Sequence, residues 1–104
     1  QWVVEHGSDE YQSVARLRLA GVLLDEKAYD EALTALGGEV LPQFAGAVAD
    51  RKGDVLVAQN KVAEARSAYQ AALDAMEKND PARQLVQLKL EAIGGTAATP
   101  KAAA

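Results

Sequence analysis

Ala20-Gly21, followed by Lys27-Ala28-Tyr29-Asp30-Glu31-Ala32-Leu33, returns 33 residues later as Gly53-Asp54, followed by Asn60-Lys61-Val62-Ala63-Glu64-Ala65. Small residues hold fixed places in two helical patterns, and a period of this length marks stacked helix-turn-helix units. One such unit cannot bury its apolar face alone, so neighbouring units form the core and leave an extended concave surface. The expected class is an all-α stack of helical hairpins that holds another protein rather than transforming a small molecule.

Working outward, Ser8 or Asp9 is placed to cap a helix, and Val14, Leu17, Ala20, Val22, Leu23 and Leu24 follow at helical spacing. That spacing predicts a helix from about Asp9 to about Glu26. Its partner starts near Tyr29, with Asp30 and Glu31 at the positive end of the helix dipole, and Gly37-Gly38 stops it. Pro42 suits a first helical position, opening a helix through Phe44, Val48, Val55 and Leu56 to about Gln59-Asn60. A fourth helix is expected from about Val62 to Lys78, with Ala65, Ala68, Tyr69, Ala72, Leu73 and Met76 on one stripe. Asp80 as N-cap and Pro81 as first residue start a last helix, about Ala82 to Ile93, that caps the stack. Gly94-Gly95 ends it.

Three segments follow from this reading. Residues 1–7 are the end of an upstream repeat helix, 8–93 hold two repeats and the capping helix, and 94–104 form a tail with too little apolar bulk to pack, expected to be disordered. The opening Gln1-Trp2-Val3-Val4-Glu5-His6 reads as a helix already under way. The chain is therefore expected to be part of a longer protein whose anchoring segment lies upstream. Trp2, Val3 and Val4 would then be core residues laid bare, and self-association as a homodimer through that edge is expected.

Composition narrows the function. Of the 104 residues 22 are Ala, which suits closely crossing helices. The formal charge of −4 argues against a nucleic-acid surface, and no run of 18 apolar residues is available to span a membrane. Cysteine is absent, excluding disulfides and thiolate metal sites.

Candidate catalytic groups read better as structural. The sole histidine, His6, lacks companions at metal-ligand spacing. Asp50 and Asp54 lie four apart, and a solvated face balanced by Arg51 and Lys52 is favoured over acid–base work, which needs a pocket that raises one pKa. Ser8, Ser13 and Ser67 have no His and Asp arranged around them. The paired glycines lack the Lys-Ser/Thr of a phosphate loop. No catalytic, metal or cofactor site is expected, and the chain is read as non-enzymatic.

The two units resemble tetratricopeptide repeats: Ala20 and Gly53 are the small residues midway along each first helix, Ala32 and Ala65 those early in each second helix, and Leu36 and Tyr69 the large residues four later. The wording Ala15-Arg16-Leu17-Arg18-Leu19-Ala20-Gly21-Val22-Leu23-Leu24, the stretch Ala63-Glu64-Ala65-Arg66-Ser67-Ala68-Tyr69-Gln70-Ala71-Ala72-Leu73 and the closing Leu85-Val86-Gln87-Leu88-Lys89-Leu90 are similar to the ancillary SecYEG translocon subunit family (YfgM-like).

The resemblance implies a right-handed superhelix in the periplasm, anchored to the bacterial inner membrane by one upstream helix. It also implies association with the SecYEG channel and with a membrane-anchored periplasmic chaperone of the prolyl-isomerase class. A tetratricopeptide adaptor unrelated to secretion and an accessory domain of a larger enzyme remain as alternatives. The first helix of each pair lines the groove in such repeats, so the expected groove residues are Val14, Leu17, Arg18, Gly21 and Asp25 from one unit, and Asp50, Arg51, Asp54 and Val57 from the next. Leu17, Gly21, Asp50 and Asp54 stand where a carboxylate clamp would need Lys and Asn. A mixed apolar and acidic groove is expected to suit an apolar or basic segment, unless these residues pack between repeats.

Overall fold

The computed structural model describes the backbone of residues 2–38 and 41–94, and within them the side chains from residue 9 onward. Among the described residues are five α-helices and no strand: α1 (Trp2–Asp25), α2 (Tyr29–Leu36), α3 (Ala45–Ala58), α4 (Val62–Ala75) and α5 (Ala82–Ala92), with a 3-10 turn, Pro42–Phe44, ahead of α3. The expected helical-hairpin repeats are present: α1 pairs with α2, α3 with α4, and α2 also packs on α3. The tail at 95–104 and the side chains of Trp2, Val3, Val4 and His6 lie outside the described residues.

The 33-residue period recurs in the backbone. Lys27 and Asn60, one period apart, both take left-handed conformations, with φ of 64° and 63°. Each closes its helix in the same way. The amide of Lys27 donates to the Leu24 carbonyl and that of Ala28 to Leu23; one period later Asn60 donates to Val57 and Lys61 to Leu56. This pair of bonds satisfies carbonyls that a helix end otherwise leaves open.

Packing explains the small residues. Ala20, Ala32, Ala65 and Ala72 have no exposed surface, so a longer side chain at any of them would push helices apart. Helix α3 is central. Its Val55 joins a cluster with Ala20, Ala32 and Leu36, whereas the adjacent Leu56 joins Tyr69, Leu73, Val86 and Leu90 on the other side.

Several boundaries differ from the sequence reading. Helix α1 does not start at Asp9 but runs unbroken through Gly7 and Ser8, because a single glycine costs a helix only about 1 kcal/mol and stops nothing by itself. Helix α3 begins three residues after Pro42, which opens the 3-10 turn instead. Helix α4 stops at Ala75: Met76 is extended, and Arg83 Nη1 donates to the carbonyls of Leu73 (2.6 Å) and Met76 (3.3 Å). The guanidinium thus takes up acceptors that further helix would have used. Arg66 reciprocates by donating to the Ile93 carbonyl at 3.0 Å, at the end of α5.

Asp80 caps α5 as expected, its carboxylate accepting the Ala82 amide at 2.8 Å. The glycine stops divide the work. Gly37 is extended and Gly38 takes φ of 88°, while Gly94 takes φ of 89° just past α5.

Helix α5 caps the stack without being a third copy of α1 and α3. Val86 and Leu90 are buried in it, but Leu88, one period after the buried Val55, is 57% exposed.

Candidate functional site

The inner wall is built from α1 and α3, joined by Lys89 of α5. Asp50 and Asp54, one turn apart on α3, both face that lysine: Lys89 Nζ lies 3.1 Å from Asp50 Oδ1 and 3.1 Å from Asp54 Oδ1. The Tyr69 hydroxyl, from α4, donates to Asp54 Oδ1 at 2.6 Å. Lys89 Nζ also stands 5.9 Å from the centroid of the Tyr69 ring, within reach of a cation–π attraction. Four side chains from three helices thus form one closed network.

Burial governs its protonation. Desolvation, and to a smaller extent the neighbouring Asp54, raises the Asp50 carboxyl above its ordinary value, against the pull of Lys89. The Tyr69 hydroxyl is pushed well above the ordinary tyrosine range, first by burial and then by its bond to Asp54. It stays a protonated donor. The arrangement pins α3, α4 and α5 together.

Asp50 and Asp54 were expected on a solvated face balanced by Arg51 and Lys52. They are instead neutralised chiefly by Lys89, because the rotation of α5 brings that ammonium between them. The acidic half of the expected groove is therefore already occupied. The apolar half is reduced too: Leu17 packs against the Ala20–Ala32–Leu36–Val55 cluster, Val14 is half-buried, and only Val57 among the expected apolar residues is open, at 38% exposure.

The remaining expected residues do come together. The Arg51 guanidinium reaches across to α1, where its Nη1 lies 3.6 Å from the place a Cβ on Gly21 would take. Arg18, one turn before Gly21 on α1, is exposed, as is Asp25 at the end of that helix. The wall thus presents Arg18 and Arg51 above a neutralised Asp50–Lys89–Asp54 cluster. Sequence reasoning missed Lys89 and Tyr69. Two carboxylates one turn apart did signal a missing cation, but its identity depends on the rotation of α5, which no periodicity fixes.

A second concavity lies on the opposite, outer side. Helix α2 has 8 residues where α4 has 14, and the early stop leaves a groove of about 660 Å³ lined by Leu33, Ala45, Val48, Ala49, Ala68 and Ala71, among others. Among the described residues there is no group of three or more His, Cys, Asp or Glu able to hold a metal ion, and no helix long and apolar enough to cross a membrane.

Comparison with known proteins adds three findings. The family model described as tetratricopeptide repeat-like domain matches residues 1–95. The ancillary SecYEG translocon subunit of Neisseria gonorrhoeae (strain ATCC 700825 / FA 1090) is 40% identical over 94 residues, which are 89% of this chain and 45% of that protein. The chain thus spans less than half the length of that curated relative. No solved structure matches.

Proposed function

The chain belongs to the tetratricopeptide repeat-like family, matched over residues 1–95, and from that membership we propose a non-enzymatic protein-interaction module that serves the SecYEG translocon. The observation that carries the translocon reading is the 40% identity to the gonococcal ancillary subunit. In this reading the module lies on the periplasmic face of the bacterial inner membrane, attached through a segment not contained in these residues. There it holds emerging polypeptide and passes it to a periplasmic chaperone of the prolyl-isomerase class.

The wall formed by Val14, Leu17, Arg18, Gly21 and Asp25 of α1 with Asp50, Arg51, Asp54 and Val57 of α3 is the proposed contact surface. Its roles divide by environment. Arg18, Arg51 and Val57 are the groups presented to a guest, whereas Leu17 supports the wall from the core and Asp50 and Asp54 hold it through Lys89. With Asp50 and Asp54 paired internally to Lys89, the wall suits a segment that brings carboxylates or backbone carbonyls to the two guanidinium groups.

Photo-crosslinking in native membranes tests this reading, with a photoreactive residue placed at Arg18 or Val57. The expected products are crosslinks to translocon subunits or to a membrane-anchored periplasmic chaperone. Crosslinks confined to abundant soluble proteins would overturn it.

A further inference from the structure

Cysteine is absent and Met76 is the one methionine, so a single thioether holds all the sulfur of this chain. Met76 directly follows α4, where its extended backbone ends the helix, and its side chain packs on the cluster of Leu56, Tyr69, Ala72, Leu73, Val86 and Leu90. The first turn of α3 receives it at Gly46. A Cβ at Gly46 would lie 2.7 Å from Met76 Cγ and 3.4 Å from Cε. The two carbons bonded to Sδ thus rest on the glycine, and the gap has no room even for a methyl group.

The other side of Met76 is open. The residue is half-buried and lines a cleft of about 480 Å³ with Pro42, Gln43, Ala47, Glu77, Asp80 and Ala82, among others. Among the side chains of this cleft only Gln43 carries a hydrogen-bond donor. The carboxylates of Glu77 and Asp80 are acceptors, and that of Asp80 already takes the Ala82 amide. Arg83 Nη1 is engaged with the carbonyls of Leu73 and Met76. The seat therefore suits an apolar thioether and rejects a polar sulfoxide, which would add one acceptor among others.

We propose that Met76 is a modification site for peroxides and hypohalous acids, and that its oxidation loosens the start of α3 from the junction of α4 and α5. A sulfur lone pair attacks one oxygen of hydrogen peroxide, forming the S–O bond as the O–O bond breaks. Sulfur is oxidised by two electrons and the peroxide reduced, and the proton of the transferred hydroxyl goes to the departing oxygen to give water. A hypohalous acid delivers its oxygen in the same way and leaves as hydrogen halide. The new oxygen finds no space towards Gly46 and one donor towards the cleft, so the side chain swings outward and the cluster beneath loses its cover. The cluster of Ala20, Ala32, Leu36 and Val55 does not include Met76, so the first hairpin keeps its packing. This inference stands apart from the translocon reading, because it uses no residue of the inner wall.

Hydrogen peroxide is the probe. Peptide mass spectrometry should find one added oxygen on Met76, and the urea midpoint of the oxidised chain should fall by about 0.5–1 M. Amide hydrogen exchange should quicken over 45–50 and 76–83 but not over 20–36. The two epimer-specific sulfoxide reductases, with a thiol as reductant, should restore the midpoint. Met76→Leu should keep its midpoint through the same treatment; if circular dichroism shows that it does not fold, the chain made with norleucine in place of methionine replaces it. Gly46→Ala crowds the seat and should be oxidised faster than the unaltered chain. Five results would each overturn the proposal: Met76 unmodified where free methionine is fully oxidised, an oxidised chain with an unchanged midpoint or uniform exchange, no recovery on reduction, an equal fall in the chain lacking methionine, or Gly46→Ala oxidised no faster.

Discussion

The ring of Tyr69 packs against the backbone of Gly53, so close that a Cβ there would sit 2.6 Å from Cδ1 and 2.9 Å from Cζ. One period earlier the pair is Ala20 and Leu36, both buried in one cluster. The larger partner in the second unit therefore goes with the smaller helix residue. Gly53→Ala should cost about 1–3 kcal/mol through overpacking, read as a lower urea midpoint. Combining it with Tyr69→Leu, which recreates the pairing of the first unit, should recover part of that loss. Gly21→Ala is the control: its Cβ would meet only Arg51 at 3.6 Å or more, and relief of the glycine should stabilise α1 by about 0.5–1 kcal/mol.

Lys27 occupies the left-handed position that closes α1, a conformation that costs a non-glycine residue about 1–2 kcal/mol. Lys27→Gly should raise the thermal midpoint, and by more than Asn60→Gly at the equivalent site. Asparagine tolerates this conformation better than lysine, so less strain remains to be relieved at position 60. Differential scanning calorimetry of the two variants gives the comparison.

Tyr69 gives stability a dependence on alkaline pH. Its folded-state pKa is raised above the ordinary 10.0 by burial and by the bond to Asp54, so the native chain keeps a proton that the unfolded chain releases. The stability linked to this group is fully present below the ordinary value and falls as pH rises through it. Urea midpoints at about pH 9 and about pH 11 should differ more for the unaltered chain than for Tyr69→Phe. At neutral pH the same variant loses a hydrogen bond to a carboxylate, worth about 1.5–3 kcal/mol.

Lys89→Met leaves Asp50 and Asp54 facing one another without their shared cation. With these side chains about three-quarters buried, the loss should be about 1–3 kcal/mol, less than for fully buried pairs. Asp50→Asn should be milder. Its carboxyl is already raised by desolvation, so ionised Asp50 costs stability as pH climbs from the ordinary 3.8 towards the raised value, and the amide avoids that cost. Lys89→Met combined with Asp50→Asn should be more stable than Lys89→Met alone, as chemical denaturation would register.

The repeat was legible from the sequence because its determinants are local. Ala32 and Ala65 each sit four residues before the larger Leu36 and Tyr69, and the turns after Leu24 and Val57 carry the same offset. The cap at Asp80 and the stop at Gly94 were likewise readable from short-range chemistry. The inner wall was legible only in part. Spacing put Arg18, Gly21 and Arg51 on the faces that meet, but Lys89 reaches α3 from a helix whose rotation depends on how Val86 and Leu90 settle on α4. The end of α4 was misplaced for a related reason: Arg83, seven residues further along, accepts the role of closing it.

The early end of α2 has a consequence for how this protein can vary over time. The inner wall draws its residues from α1 and α3, whereas the shortened helix and the hollow beside it lie on the outside. Changes at the exposed positions of that outer segment can thus leave Arg18 and Arg51 where they are, provided Ala32 and Leu36 go on filling the cluster that seats α1 against α3.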